Sequence, residues 1–232
     1  MMTHTQTIAH IRPQIRRPWQ ALTALGLHLS RLPVHPRIGK MMLFGSIFGC
    51  LDPVLTIAAS LSFKDPFVVP LHRQQEADRV RRRLAGDSRS DHLALLRAFE
   101  GWRGARGQRE ERDYCWEHFL SASTLQMIAH LKRQFTDLLR DAGFVESEAA
   151  ANAHSDRDRL VLGVLCAGLY PNIIRVEHAH GRKFGQRPPK LFTREDGRVN
   201  LHPKSVICEE RVFPTKFLLY HEKVGVSVCF GR

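Results

Sequence analysis

The hydrophobic period of this 232-residue chain changes once, at Tyr170-Pro171, and that change restricts what it can fold into. Upstream, apolar residues recur every three or four positions, the spacing of amphipathic helices. Downstream they fall into short β-branched runs separated by turn residues, the pattern of a small antiparallel sheet. In LTALGLHLSRLP, Leu22, Leu25, Leu29 and Leu32 share one helical face, and Pro33 ends the run. From Ile38 to Leu51 the apolar residues wrap most of a helix, which predicts burial on all sides. Asp52-Pro53 reads as an N-cap with proline at N1, opening a helix through VLTIAASLS. The prolines of SFKDPFVVP make that segment extended.

A basic helix follows, ending at Gly86, and its RVRRR run is more often a solvated face than a binding site. SRSDHLALLRAFEGWRGAR predicts an N-capped helix with Leu93, Leu96, Phe99 and Trp102 inward. Further helices are predicted over 112–120, 123–142 and 157–169. In the second of these, Leu125, Ile128, Leu131, Phe135, Leu138 and Leu139 form the core stripe and Gly143 stops it. Residues 146–158 read as a polar connector. Beyond Pro171, NIIRVEHA, KLFTR, RVNLHP, KSVICEERV and FLLYHEKVGVSVCF read as strands, with a hairpin at Asp196-Gly197. The predicted class is mainly α with a C-terminal β unit that begins an OB-like barrel.

Lysine and arginine exceed aspartate and glutamate by enough to leave a net charge of +12. Such a field favours polyanions, nucleic acid first. The five cysteines form no C-x-x-C pair, so they read as free, mostly buried thiols of a reducing compartment. No run approaches the ~20 apolar residues a membrane helix needs, and Pro13 and Pro18 interrupt any amphipathic targeting helix at the N-terminus. The sequence shows no catalytic motif and no metal-ligand spacing. Gly39-Lys40 lacks the upstream glycine of a phosphate loop and is followed by Met41, and no Asp-Glu-x-His box occurs. His221-Glu222 has no second histidine at metalloprotease spacing, and the thirteen histidines are dispersed.

Six blocks together resemble the C-terminal accessory region of DEAH/RHA-type superfamily 2 RNA helicases. They are LTALGLHLSRLPVHPRIGKMMLFGSIFGCLDPVLTIAASLSFKDPFVVP (22–70), SDHLALLRAFEGW (90–102), DYCWEHFLSASTLQMIAHLKRQFTDLL (113–139), VLCAGLYPNIIRV (164–176), DGRVNLHPKSV (196–206) and FLLYHEK (217–223). They stand in the family's order. Residues 1–20 read as an irregular segment, and the resemblance implies a partial winged-helix domain over 21–70, a helical ratchet-like domain over 71–170 and a truncated OB-like fold over 171–232. It also implies one wall of a channel through which two motor domains thread single-stranded RNA, or sometimes DNA. The parent family is ATP-dependent, so ATP and magnesium belong to the motor, and this chain carries no cofactor of its own.

On that reading Lys132, Arg133 and Gln134 are expected strand contacts on the ratchet helix. His202, Lys204 and Ser205 form a polar cluster at a turn, followed by Tyr220, His221 and Lys223, and these suit phosphate oxygens. Many family members have serine where Lys204 stands. Asp91 and His92 read as structural, through a cap or an interdomain hydrogen bond, and Trp102, Trp116 and Phe119 read as core. The expected partners are single-stranded or structured nucleic acid and the missing motor domains, with no membrane; the alternative is a protein-interaction module that docks on a helicase or its activator. The expected location is intracellular, in nucleus or cytoplasm, with no motif that separates these from an organelle. The sequence departs from the family at both ends, with an Arg/Pro opening and a GVSVCFGR ending, so a fragment, truncated gene model or splice product is expected.

Overall fold

A computed structural model describes residues 22–105, 107–178 and 188–224. The opening segment 1–20 and the strand expected after Val224 lie outside the described residues. Nine α-helices precede the sheet among them: α1 (Ala24–Ser30), α2 (Pro36–Ile47), α3 (Leu51–Ser62), α4 (Gln74–Ala85), α5 (Asp91–Gly104), α6 (Gln108–Glu117), α7 (Ala122–Asp141), α8 (Glu148–Ala151) and α9 (Asp158–Leu169). Four strands follow: β1 (Ile173–Glu177), β2 (Lys190–Thr193), β3 (Gly197–Val199) and β4 (Phe217–Leu219).

The most enclosed helix is α3, whose residues from Leu51 to Ser60 are almost all buried, Asp52 being the half-exposed exception. Helices α2, α5, α7 and α9 surround it, so its apolar character on every side is what its position demands. Thr56 and Ser60 survive there because their hydroxyls donate back to the carbonyls of Asp52 and Thr56 at 3.0 and 2.8 Å. Two glycines let backbones close in. A Cβ on Gly45 of α2 would lie 2.9 Å from a Val54 methyl of α3, and one on Gly168 of α9 would lie 2.6 Å from Met41 Cβ of α2. The core is continuous from Leu32 to Leu165, so the helices on both sides of residue 70 share it.

Asp52 does not cap α3. The N-cap position belongs to Cys50, which offers no side-chain hydrogen bond. Asn152 supplies the missing acceptor instead, taking the Asp52 N–H on its Oδ1 at 2.7 Å. Residues 146–158 are therefore more than a connector: they contain α8, and the His154 N–H donates to the carbonyl of Gly49 at 2.7 Å. Ser90 caps α5, in line with the expected N-capped helix, Ser121 caps α7, and Gly143 ends α7 with φ of 78°.

The sheet is antiparallel in the order β3-β2-β1-β4. Its hairpin closes where Thr193 pairs with Gly197, and the Thr193 hydroxyl donates to Asp196 at 2.9 Å. Ile174, Val176, Leu191 and Phe213 make the small core under it. The run KSVICEERV is not a strand but a series of turns. Its apolar residues face the helices instead: Val206 is buried with Ala85 and Ala94, and Ile207 packs beside them. Trp116 is also not core, being 75% exposed on α6, whereas Phe119 is buried. Of the four described thiols, Cys50 and Cys115 are buried, Cys208 is partly covered and Cys166 is exposed.

Candidate nucleic-acid interface

The inward stripe of α7 fixes what its other face presents. With Leu125, Ile128, Phe135 and Leu139 buried, residues at the complementary three- and four-residue spacing line an open cleft of 660 Å³: Gln126, Ala129, Lys132, Arg133, Thr136, Asp137 and Arg140. Phe99, Trp102 and Arg103 of α5 form the other wall, with Asp52 of α3 and Glu148 of α8 at the ends. Trp102 is thus half core and half cleft lining.

Lys132 is laid across this floor. Its ammonium is 5.3 Å from the Phe99 ring centroid and 2.7 Å from Asp52 Oδ1, and its side chain is 12% exposed. Burial lowers its pKa, and the Asp52 carboxylate beside it opposes that shift. Arg103 Nη1 is 3.6 Å from the same Asp52 carboxylate. Burial likewise raises the pKa of the Glu100 carboxyl, with Arg103 opposing it. Arg140 bridges Asp137 at 2.8 Å and Glu148 at 3.0 Å. Arg133 is exposed, lines the cleft and has no ion pair among the described residues. Its neighbour Gln134 is exposed on the flank, paired with His130 at 3.1 Å, and does not line the cleft. Sequence reading missed Asp52, Arg103, Arg140 and Glu148 as cleft residues. The signal for one of them was present, since Asp52 is a lone carboxylate in a long apolar run.

The second group of candidates lies on the β unit and shares no lining residue with the cleft. His202 Nδ1 accepts the Lys204 N–H at 3.1 Å, which folds the turn and leaves the Lys204 side chain exposed. Ser205 turns the other way: its hydroxyl donates to Asp91 Oδ2 at 2.6 Å, and the Val206 N–H donates to Asp91 Oδ1 at 3.0 Å. Arg81 Nε stands 3.5 Å from that carboxylate. Asp91 therefore makes the interdomain hydrogen bond expected of it, as the anchor of the β unit on α5. Lys223 is 2.5 Å from Asp196 and 3.1 Å from Glu195, with Tyr220 5.8 Å away across its ring. Those two carboxylates push the Lys223 pKa well above the usual lysine range. Beside Asp91, His92 is largely but not fully covered: burial first, then the neighbouring His221, lowers its pKa to about 4, and Asp91 opposes the shift. His221 is lowered too, again chiefly by burial.

Among the described residues no group of three or more His, Cys, Asp or Glu side chains is placed to hold a metal ion. No helix there is long and apolar enough to cross a membrane.

Two family models match the chain: the helicase associated domain (HA2), ratchet-like, over residues 35–95, and the oligonucleotide/oligosaccharide-binding (OB)-fold over 161–232. The chain is 52% identical over 217 residues to the ATP-dependent DNA/RNA helicase DHX36 of Rattus norvegicus, an alignment covering 91% of this chain and 22% of that protein. It is 47% identical to the DExH-box ATP-dependent RNA helicase DExH1 of Arabidopsis thaliana, covering 92% of this chain and 21% of the relative. Against the putative ATP-dependent RNA helicase DHX57 of Homo sapiens the identity is 41%, covering 99% and 19%. The chain spans about a fifth of the length of these relatives. With a helical body, a small antiparallel sheet and both accessory-domain matches in the family's order, the chain belongs to the helicase-associated and OB-fold accessory region of the DExH/DEAH-box helicases.

Proposed function

We propose that the chain binds single-stranded nucleic acid along the open face of α7, as one wall of a strand channel. ATP hydrolysis would be supplied by motor domains that this sequence does not contain. The observation that carries the reading is Arg133, an exposed guanidinium without an ion pair among the described residues, set in a 660 Å³ cleft beside Trp102 and Gln126. Arginine suits both phosphate oxygens and base edges. The net charge of +12 supplies a sequence-independent attraction. Similarity to ATP-dependent helicases supports the strand as ligand, and on this reading ATP and magnesium belong to the motor rather than to these residues.

Within this reading Lys132 shapes the cleft floor, Arg133 contacts the strand directly, and Gln134 extends the contact along the flank. Lys204 offers a second cation at the β unit, with His202 ordering its turn. Ser205 and Lys223 contribute by holding the turn and the hairpin in place, and Tyr220 by packing under Lys223. The test is retention of a labelled single strand against rising salt. Arg133→Gln should weaken it roughly fivefold or more at low salt, and the purified chain should show no strand-stimulated ATP hydrolysis. Unchanged binding by that variant, or ATP turnover, overturns the proposal. A second reading, docking on a helicase or its activator, draws support from the exposed indole of Trp116. Loss of partner capture on Trp116→Ala, with strand binding intact, would favour it.

A further inference from the structure

The cleft holds its own competitor for phosphate. Four cations line it, Arg103, Lys132, Arg133 and Arg140, and three carboxylates answer them. Asp52 takes Lys132 from beneath, in a covered pair where exchange with a ligand is hindered, and reaches the exposed Arg103 only at 3.6 Å. Arg140 is different. It is nearly half exposed, and the two carboxylates that hold it, Asp137 and Glu148, are still more open to water. They come from separate elements, α7 and α8, and together they occupy both ends of a guanidinium whose geometry equally fits a phosphate diester. Exposed pairs of this kind are worth little in themselves. Each is therefore readily exchanged for a phosphate.

We propose that Asp137 and Glu148 act as intramolecular phosphate mimics, so that a strand entering the cleft gains Arg140 only by displacing them. The inference rests on the reading of this cleft as the strand-binding face. Its consequence is a grip weaker than four cations would give. Arg133 binds freely, Arg140 binds by exchange, and Lys132 stays with Asp52. A wall that grips by exchange releases a phosphate without leaving a bare cation behind, which suits a strand that has to slide.

The experiment uses the full chain, an oligouridylate of about 16 nucleotides and a salt series. Asp137→Asn/Glu148→Gln should bind roughly three- to tenfold more tightly, with the slope of log K against log[salt] steeper by about 0.7, the value for one added phosphate contact on a single strand. Asp87→Asn/Glu117→Gln, which removes the same charge away from the cleft, should change neither quantity by as much. Arg140→Gln in the otherwise unaltered chain should cost less than about twofold, because that cation is already taken. Equal gains from both double variants would reduce the effect to bulk charge and overturn the inference, as would a large loss from Arg140→Gln. If the parent chain binds and Arg133→Gln weakens it while Asp137→Asn/Glu148→Gln has no effect, only the exchange mechanism falls. If neither the parent nor any variant retains the strand, or if an acidic peptide is retained in its place, the cleft reading falls with it.

Discussion

Lys132 Nζ and Asp52 Oδ1 meet at 2.7 Å above the Phe99 ring, joining the middle of α7 to the first turn of α3. The pair is asymmetric, because Lys132 is 12% exposed whereas Asp52 keeps about a third of its surface. Removing the acid strands a covered ammonium; removing the ammonium leaves a carboxylate that still has Arg103 at 3.6 Å and access to water. Asp52→Asn should therefore destabilise the chain by about 1–3 kcal/mol. Lys132→Met keeps the aliphatic stem on Phe99 and should cost less than about 1 kcal/mol. Urea unfolding of both variants checks the order, and a larger loss from Lys132→Met would refute the asymmetry.

The Asp91 anchor leads to a second expectation. One carboxylate takes both the Ser205 hydroxyl and the Val206 amide, so Asp91→Ala leaves two part-buried donors without acceptors. The cost should be about 2–3 kcal/mol, against about 1 kcal/mol for Ser205→Ala, which removes one donor together with its need. Hydrogen exchange reads this locally. The Val206 amide should lose protection in Asp91→Ala and keep most of it in Ser205→Ala.

Behind that anchor, His92 gives the chain an acid-sensitive point. Its folded pKa is about 4 and its ordinary value 6.5, so between these values the unfolded chain binds the proton and the folded chain does not. Stability consequently falls as pH drops from about 6.5 toward 4 and levels off below, losing on the order of 2–3 kcal/mol. His221, depressed in the same direction by burial, adds to the slope. Asp91, which favours the charged form, opposes it. Denaturation midpoints at pH 7, 6, 5 and 4.5 check this, with His92→Asn expected to flatten much of the dependence. A parent chain as stable at pH 4.5 as at pH 7 would exclude it.

Much of this architecture is written in local pattern, and the exceptions share a cause. The α7 stripe is legible because Leu125, Ile128, Phe135 and Leu139 recur at helical spacing, and its outward face follows by subtraction. Asp52 invites a capping role because the actual acceptor, Asn152, is 100 residues away in a segment with no apolar pattern. KSVICEERV resembles a strand because Val206 and Ile207 are apolar, yet it is packing on Ala85 and Ala94 that they answer to. Trp116 looks like core by composition, but on α6 it is the adjacent Cys115 that turns inward. In the cleft, Arg133 is foreseeable from its own helix. Of the carboxylates that line the cleft with it, Asp137 lies one turn on in the same helix, but Asp52 and Glu148 come from α3 and α8, and no spacing rule connects them.

Helix α9 offers a comparison within twelve residues. Gly163 has nothing within 4 Å of where a Cβ would stand, whereas Gly168 would place one 2.6 Å from Met41 Cβ and 3.0 Å from Met41 Cα. The first position has only the entropic and propensity cost of glycine, so Gly163→Ala should stabilise by up to about 1 kcal/mol. At the second the obstacle is the root of a side chain and its backbone, which cannot swing aside, so α9 must move off α2. Gly168→Ala should cost about 2–4 kcal/mol, in the range of overpacked cores. The same logic applies more mildly to Gly45→Ala, where the nearest atoms at 2.9–3.0 Å belong to the Val54 side chain. Thermal melts of the three variants should rank Gly163→Ala above the parent chain, then Gly45→Ala, then Gly168→Ala. A Gly168→Ala midpoint equal to that of the parent would show that the α2–α9 contact is looser than a 2.6 Å approach implies.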